Sequence, residues 1–364
     1  MSNRVSMFIV VLAFLATTIV PTFGQNSDNT LSEDSPKPRG IKSFLNKIME
    51  VDTNYIELNR YNCTVMMQGE KRYSFYRLSA KNEEGHRQQL DFMPSSPFKV
   101  GPYIGYSFLF LGYTFDMGAK RYSFDRTNFY LSIYSRLFGV DYYYESGTNN
   151  YRIRSVKGFG DEAARRARDI AFSGMSTYLQ NWHIYYIFNN RHFSYPAAYS
   201  QSTRQRRSCG SFILGFNYSK ERVNFDHTQL PHYILYDNLG NEQLGENLKI
   251  TSVKYRDYSV SLGYAYNWVF ARNFLCNATL SPTIGYNLSE GQQFSTRETL
   301  FNLDALNLDI IGRASIVWNN SHFYAGAAAV GHTYGYKKPT FSVRNARVTL
   351  SIYAGVNFWR KKHK

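Results

Sequence analysis

Between Asn189 and Ser208 one stretch of chain gathers Arg191, His192, Tyr195, Tyr199, Arg204, Gln205, Arg206 and Arg207. Guanidinium groups offer a fixed fork of donors to carboxylates and phosphates, and tyrosines add apolar rings with a polar tip. Such a cluster suggests a constriction that selects small anionic solutes, or a dock for a phosphorylated headgroup. The other reading is a plug whose arginines neutralise interior carboxylates such as Asp309. The plug is preferred, because basic and acidic ladders line membrane barrels without any transport role. A nucleophilic site would take His183 or His192 as base for Ser194, Ser200 or Ser208, but the chain has no G-x-S-x-G elbow. Asp226, His227 and His232 do not follow H-x-x-x-H or H-E-x-x-H spacing, so no metal is expected. Cys63, Cys209 and Cys276 are an odd number at spacings that suit neither zinc nor a disulfide framework. No cofactor is expected.

The elements that must carry these residues announce themselves by alternation. From Tyr258 to Phe270 every even position is apolar (Tyr258, Val260, Leu262, Tyr264, Tyr266, Trp268, Phe270) and the odd positions up to Asn267 are small or polar. That period of two is a β-strand with one greasy face. It resumes after Ala271-Arg272-Asn273 as Phe274 to Asn287, and recurs at Phe212 to Ser219, Leu306 to Trp318 and Arg347 to Phe358. A soluble sandwich also alternates, but these runs exceed ten residues and carry aromatics near their ends, as tilted bilayer-crossing strands do. On this reading position 262 faces lipid and position 261 faces the lumen, where a charge is tolerated if the lumen is wet.

Composition agrees. The 364 residues carry 42 Lys+Arg against 27 Asp+Glu, a net charge of +15, with 31 Tyr and 27 Phe but only 19% charged residues. Arg4, the apolar run Met7 to Val20 and Thr22-Phe23-Gly24 form a signal peptide over 1–24, cleaved after Gly24. Residues 25–50 then read as a periplasmic linker and 51–364 as the barrel domain. After residue 24 no apolar run is long enough for a spanning helix. Export argues against nucleic acid as the partner of the basic surplus.

The expected fold is all-β: a transmembrane, antiparallel, up-and-down β-barrel of about 12 strands. Residues 161 to 172 form its one short helix, in an external loop. If Phe358 ends its strand in the periplasm, the connections near 221–252, 289–304 and 335–345 lie outside, and Arg272 and Asn320 lie in short periplasmic turns. Tags near Gly240 and Gly291, but not at Asn320, should then be reachable from outside.

The blocks DTNYIELNRYNCTVMMQ from Asp52, PFKVGPYIGYSFLFLGYTFDM and YYIFNNRHFSYPAAYSQSTRQRRSCGSFILG resemble a Bacteroidetes family known only as domain of unknown function 4421. The likeness covers most of the chain from residue 51. It implies an exported, barrel-like outer-membrane protein of a Gram-negative cell, with no assigned activity and no catalytic residues to carry over. One departure is the end, where Phe358-Trp359 is followed by Arg360-Lys361-Lys362-His363-Lys364 rather than closing on the aromatic read by the barrel assembly machinery. The expected function is a narrow or plugged pore, or a structural envelope protein, in contact with outer-membrane lipids. The alternative is a lipid-modifying hydrolase or acyltransferase with its site in the lumen.

Overall fold

The computed structural model describes residues 51–106, 109–112, 115–117, 126–148, 151–289, 306–338 and 340–361. The expected signal peptide and linker lie outside these residues, as do Gly291 and nearly all of the 289–304 connection.

Long alternating runs rich in Tyr, Phe, Val and Ile fit an extended, half-buried backbone. They fold as β1 (Ile56–Leu58), β2 (Tyr61–Lys81), β3 (Arg87–Pro94), β4 (Phe98–Tyr106), β5 (Leu109–Gly112), β6 (Phe115–Met117), β7 (Arg126–Tyr134), β8 (Phe138–Thr148) and β9 (Tyr151–Lys157). After helix α1 (Gly160–Arg166) come β10 (Ile170–Phe172) and β11 (Met175–Ile187), then α2 (Pro196–Tyr199) and β12 (Thr203–Gln205). The chain continues as β13 (Cys209–Phe225), α3 (His232–Leu235), β14 (Ser252–Ala271), β15 (Phe274–Ser289), β16 (Leu306–Asn319), β17 (Phe323–Lys337) and β18 (Phe341–Arg360).

Sixteen of these strands make one antiparallel sheet, and β1 with β12 makes a separate pair. The sheet runs in chain order from β13 to β18, and β18 then pairs along nearly the whole of β2. Beyond that, β2 forks: its first half pairs with β4 and its last residues with β3, which leads to β9 and β10. At the other end β13 leads through β11 and β8 to β7. Among the described residues no ladder joins β5 or β6 to β7.

Facing is inside out relative to a water-soluble sheet. Along β14 the apolar residues are exposed (Val260 53%, Leu262 58%, Trp268 56%), while Ser259, Ser261, Ala265 and Asn267 are at most 2% exposed. The neighbouring strands behave alike, with Phe212, Leu280, Ile284, Ile316 and Ile352 outside and Asn217, Asn277, Ser281, Arg313 and Arg347 inside. Left in water, this contiguous apolar surface would drive aggregation; lipid is the solvent that removes the cost. The ten residue steps from Tyr258 to Trp268, at about 3.4 Å each and tilted by about 40°, raise the chain by about 25 Å, the height of an apolar membrane band. Aromatics mark both edges of that band. Tyr218 and Tyr258 lie 5.1 Å apart at one edge, and Phe270 lies 5.3 Å from Trp268 and 5.6 Å from Phe274 at the other.

The two ends of the sheet differ. At the lower end β14 turns to β15 through Arg272 and Asn273, where Asn273 takes φ +69°, a left-handed conformation that an asparagine tolerates. The turn at Asn320 is held by its Oδ1, which accepts from the Phe323 amide at 2.7 Å. The upper end carries the long 226–251 connection.

One expectation is extended and two need correction. Among the described residues the sheet shows sixteen strands where about twelve are expected, with β3, β9 and β10 added above β2 and the segment expected at 108–117 seen as β5 and β6. The connection at 335–345 is a tight turn at the upper end, because β17 and β18 stay paired as far as Lys337 and Ser342. The helix stops at Arg166: Asp169 adopts φ +60°, and Ile170–Phe172 pairs with β9 as a strand, as β-branched and aromatic residues favour.

Candidate functional site

The segment between β11 and β13 turns up into the curled sheet instead of hanging below it. Pro196 sits in the first turn of α2, where its missing amide costs nothing, and the following Ala197 and Ala198 are small enough to enter. Phe193, Ser194, Tyr195, Ala197 and Ala198 are all at most 2% exposed.

Each polar group of this plug finds a wall. Tyr195 donates through its hydroxyl to Thr279 Oγ1 at 2.9 Å, and Tyr199 to Asn277 Oδ1 at 2.7 Å. Gln201 Nε2 donates to the Tyr353 hydroxyl at 3.1 Å, and Asn319 Nδ2 donates to Gln201 Oε1 at 3.0 Å. Asn267 Nδ2 donates to the Ser194 carbonyl at 2.8 Å and to Gln205 Oε1 at 3.0 Å, and Gln205 Nε2 closes the plug by donating to the His192 carbonyl at 2.6 Å. Walls β14, β15, β16 and β18 are thus tied to one insert, and few buried polar atoms of that insert are left to carry a desolvation cost.

The cationic residues lie lower, at the mouth. There β12 pairs with β1, placing Glu57 opposite Arg204. Arg204 donates to Glu57 Oε2 at 2.5 Å and to Asn273 Oδ1 at 2.6 Å, and Arg206 reaches the same carboxylate oxygen at 3.3 Å. Arg207 lies over the Tyr55 ring at 5.8 Å. His192 bonds Asn189 Oδ1 at 3.0 Å and stands 3.5 Å from the Asp52 carboxylate. Arg191 is exposed, and its carbonyl accepts from the Asp52 amide at 3.0 Å. The arginine cluster is therefore a latch onto residues 52–57. Its carboxylate is Glu57 and not the expected Asp309, which bonds Asn307 and Thr333 near the upper rim. Burial works to raise the Glu57 carboxyl, but Arg204 and Arg206 outweigh it and hold it below the ordinary carboxylate value.

Above the plug, charges meet across the interior. Arg313 of β16 bonds Asp141 of β8, which also accepts from Ser132. His183 turns Nδ1 toward Asp141 at 3.6 Å, and Arg313 also lies over the Tyr185 ring at 5.1 Å. Arg347 of β18 stands 3.3 Å from Glu145 of β8 and 3.8 Å over the Tyr143 ring. Glu221 accepts from the Tyr255 hydroxyl at 2.6 Å and from Asn345 at 2.7 Å. Strands far apart in the sheet thus touch through their inner faces. Sequence reading missed this layer. Its one signal is a charge among the small residues of the inner face, and partners such as Arg313 and Asp141, 172 positions apart, share no local pattern.

The upper mouth is covered by apolar side chains. Ala163 of α1, Ile234 of α3, and Leu230, Leu244 and Leu248 of the 226–251 connection form one buried cluster with the inward residues Leu78, Phe92, Phe225, Val253 and Tyr255.

Each serine candidate has its hydroxyl engaged with a group other than His183 or His192. Ser194 Oγ bonds Thr203 at 2.6 Å, Ser200 Oγ the Pro196 carbonyl at 3.4 Å, and Ser208 Oγ accepts from the Val269 amide at 2.9 Å. Asp226 caps the turn after β13, and His232 stacks beside Tyr236 at 4.7 Å. No group of three metal-ligating side chains occurs among the described residues. The three cysteines are free thiols.

The sequence matches, over residues 50–358, the family described as Domain of unknown function (DUF4421). The chain belongs to this family. Against curated proteins no sequence match is significant. Among solved structures, this DUF4421 chain is similar to the outer membrane protease OmpT from Escherichia coli (7% identity, 83% of this chain and 98% of that one, TM-score 0.34). It is also similar to the outer membrane protein OprG from Pseudomonas aeruginosa (10% identity, 85% and 100%, TM-score 0.26). A third is the toluene transporter TodX of P. putida (5% identity, 82% and 91%, TM-score 0.22). At such scores these likenesses decide nothing about the activity of the DUF4421 chain.

Proposed function

We propose that this protein is a plugged outer-membrane β-barrel, a gated pore or structural envelope component and not an enzyme. In this reading β5 and β6 count as one wall segment beside β7, giving twelve spanning strands, while β3, β9 and β10 rise above the membrane. The observation that carries the reading is the double seal: a plug bonded to four walls below, an apolar cap above, and ion pairs bridging the space between. A lipid-modifying enzyme built on His183 would need substrate beside a residue that is 3% exposed behind both seals, and His192 at the mouth is engaged with Asn189 and Asp52. The Bacteroidetes origin implied by the family resemblance fits such an envelope, and the expected export signal, lipid contacts and assembly machinery belong to the same proposal.

The deciding experiment replaces Arg204, Arg206 and Arg207 together by Gln, which removes charge while keeping donors. In planar bilayers wild-type protein should conduct little, while the variant should open and lose heat stability. An unchanged fold with ion preference shifted away from anions would instead mark an anion-selective constriction. No change in either measurement would defeat the plug reading. Acid should mimic the variant. Because the Glu57 carboxyl is lowered in the folded protein, its contribution is full above the ordinary carboxylate value of about 4.3 and is lost as pH falls through the folded value.

Sidedness follows from the long loop. A tag at Gly240, next to the 86% exposed Leu239, should be labelled on intact cells, and one at Asn320 should be labelled only after the outer membrane is breached. The reverse pattern would invert the topology.

A further inference from the structure

Above Ile311 and His332 the wall divides. The ladder between β16 and β17 runs from Asn319 and Tyr324 to Ile311 and His332 and stops, although β16 stays paired with β15 as far as Leu306 and β17 with β18 as far as Lys337. Residues 306–310 and 333–337 therefore diverge. Side chains span this fork in place of the main chain: the Ile310 amide donates to Thr333 Oγ1 at 2.8 Å, and Asn287 Nδ2 of β15 donates to the Gly335 carbonyl at 2.8 Å. A Cβ added at Gly335, on the face that carries Arg344, would meet Asn307 Oδ1 at 2.5 Å. Here β17 thus passes behind β16, with its outer face against the inner residues of that strand. A cavity of about 640 Å³ lies in the fork, lined on its apolar side by Leu308, Phe75, Met93 and Ala346, and its size is that of a small-ligand site. Leu308 shares a row with Ile284 and Val260, the next outward row below Tyr258 and Tyr286. The cavity therefore opens at the upper edge of the apolar band.

The charged groups of this cleft differ in what they already hold. Arg77 donates to both oxygens of Asp91, at 2.7 and 3.1 Å, and Arg154 bonds Asp169. Arg344 is exposed and, among the described residues, has no hydrogen-bond or ion-pair partner. Across the cleft Asp309 accepts from Asn307 and from Thr333, both neutral, and among the described residues no cation reaches it. Behind it Asp257, 4% exposed, aims an unpartnered Oδ1 at Gly285, the residue opposite Asn307. One side of the cleft is positive and the other negative, with Gly335 between them and no ion pair joining them.

We propose that this cleft binds the phosphoethanolamine headgroup of a membrane phospholipid, with the phosphate on Arg344 and the ammonium on Asp309. The inference rests on the barrel reading, to which it adds a ligand. Charge complementarity selects the occupant, because one free cation and one free carboxylate match a headgroup that carries one phosphodiester and one ammonium. Phosphatidylglycerol would leave Asp309 unanswered, and a choline group has no N–H to donate to it. The guanidinium fork suits a phosphate. The acyl chains would leave sideways over Leu308 and Ile310, which are 80% and 50% exposed.

The test reconstitutes full-length wild type, R344Q, D309N and A346W in phosphatidylcholine nanodiscs doped with phosphatidylethanolamine or phosphatidylglycerol, and counts retained lipid by native mass spectrometry. Wild type should keep phosphatidylethanolamine about tenfold more tightly than phosphatidylglycerol. D309N should erase that difference, because Arg344 alone reads only the phosphate. R344Q should lose both lipids, and A346W should exclude both by filling the cavity. Arg344 is exposed, so R344Q should insert with unchanged heat-modifiable mobility, and it decides the assignment should D309N fail to insert. Equal retention of phosphatidylethanolamine by inserted wild type and inserted R344Q would overturn the site. Displacement of the lipid by an equal concentration of soluble glycerophosphoethanolamine would overturn the membrane source in favour of a water-borne ester. Wild type that never inserts defeats the barrel reading and this inference together, whereas inserted wild type without preference between the two lipids defeats this inference alone.

Discussion

Replacing Asp141 by Asn is expected to destabilise the folded protein by about 3–5 kcal/mol, because among the described residues the Arg313 guanidinium is ion-paired with no other carboxylate. Asp141 and Arg313 are each 4% exposed, and the nearest further partner of Arg313 is His183 Nδ1 at 3.2 Å, which carries no negative charge to offset the guanidinium. Arg313→Met should cost a similar amount for the mirror reason. The double variant Asp141→Leu/Arg313→Met should recover most of the loss, since two apolar groups of comparable volume replace a pair whose desolvation nearly cancels its attraction. Urea unfolding in vesicles measures all three. Losses below about 1 kcal/mol for both single variants would mean that water already screens the pair, and the interior would then be an open aqueous lumen.

The second large effect lies on the opposite face of the wall. Leu262→Arg places a charge at mid-band on the lipid side, where the cost is about 2–4 kcal/mol. Leu262→Phe should be nearly neutral, because lipid accommodates a larger ring. Ser261→Phe should prevent folding, although the residue is only one position away. Ser261 is 1% exposed, and even a Cβ added at Gly215 would collide with its Oγ and with His183. The condition for tolerating a charge at 261, a wet lumen, is therefore not met at this level, where the inner face is packed. Heat-modifiable mobility separates the cases, and tolerance of Ser261→Phe together with sensitivity to Leu262→Phe would reverse the facing of β14.

What could be read in advance follows from the range of each interaction. Facing along β13, β14, β15 and β18 was legible because it depends only on alternate residues of one strand. The plug was legible in part: the rings and proline at Phe193, Tyr195 and Pro196 mark a segment with surface to bury, but nothing local tells which walls receive it. The latch was misassigned for the same reason, since Glu57 lies 147 positions from Arg204 in a stretch that reads only as a lead-in to the first strand. The outer strands β3, β9 and β10 escaped notice because they are short, and Leu90, Phe92 and Ile153 point into the cap while Arg87 and Arg154 stay outside, so neither face shows the long apolar stripe of a lipid-facing strand. The interior charges were visible as residues but not as pairs.

The wrapping of β14, β15, β16 and β18 around Ser194, Tyr195, Tyr199 and Gln201 also bears on how the molecule is made. All four strands follow the plug in the chain, and the last of them must then find β2, with partners such as Cys63 and Phe358 almost the full length of the domain apart. A chain dominated by such distant pairings folds slowly. The insert offers the late strands a template, because its tyrosine hydroxyls and amides present the hydrogen-bond partners that those strands need before their own ladder is zipped. Assembly by this route is sequential, with the interior laid down first and the wall fastened around it, so a chain whose insert is trimmed away should stall as an unsealed sheet and become a substrate for envelope proteases.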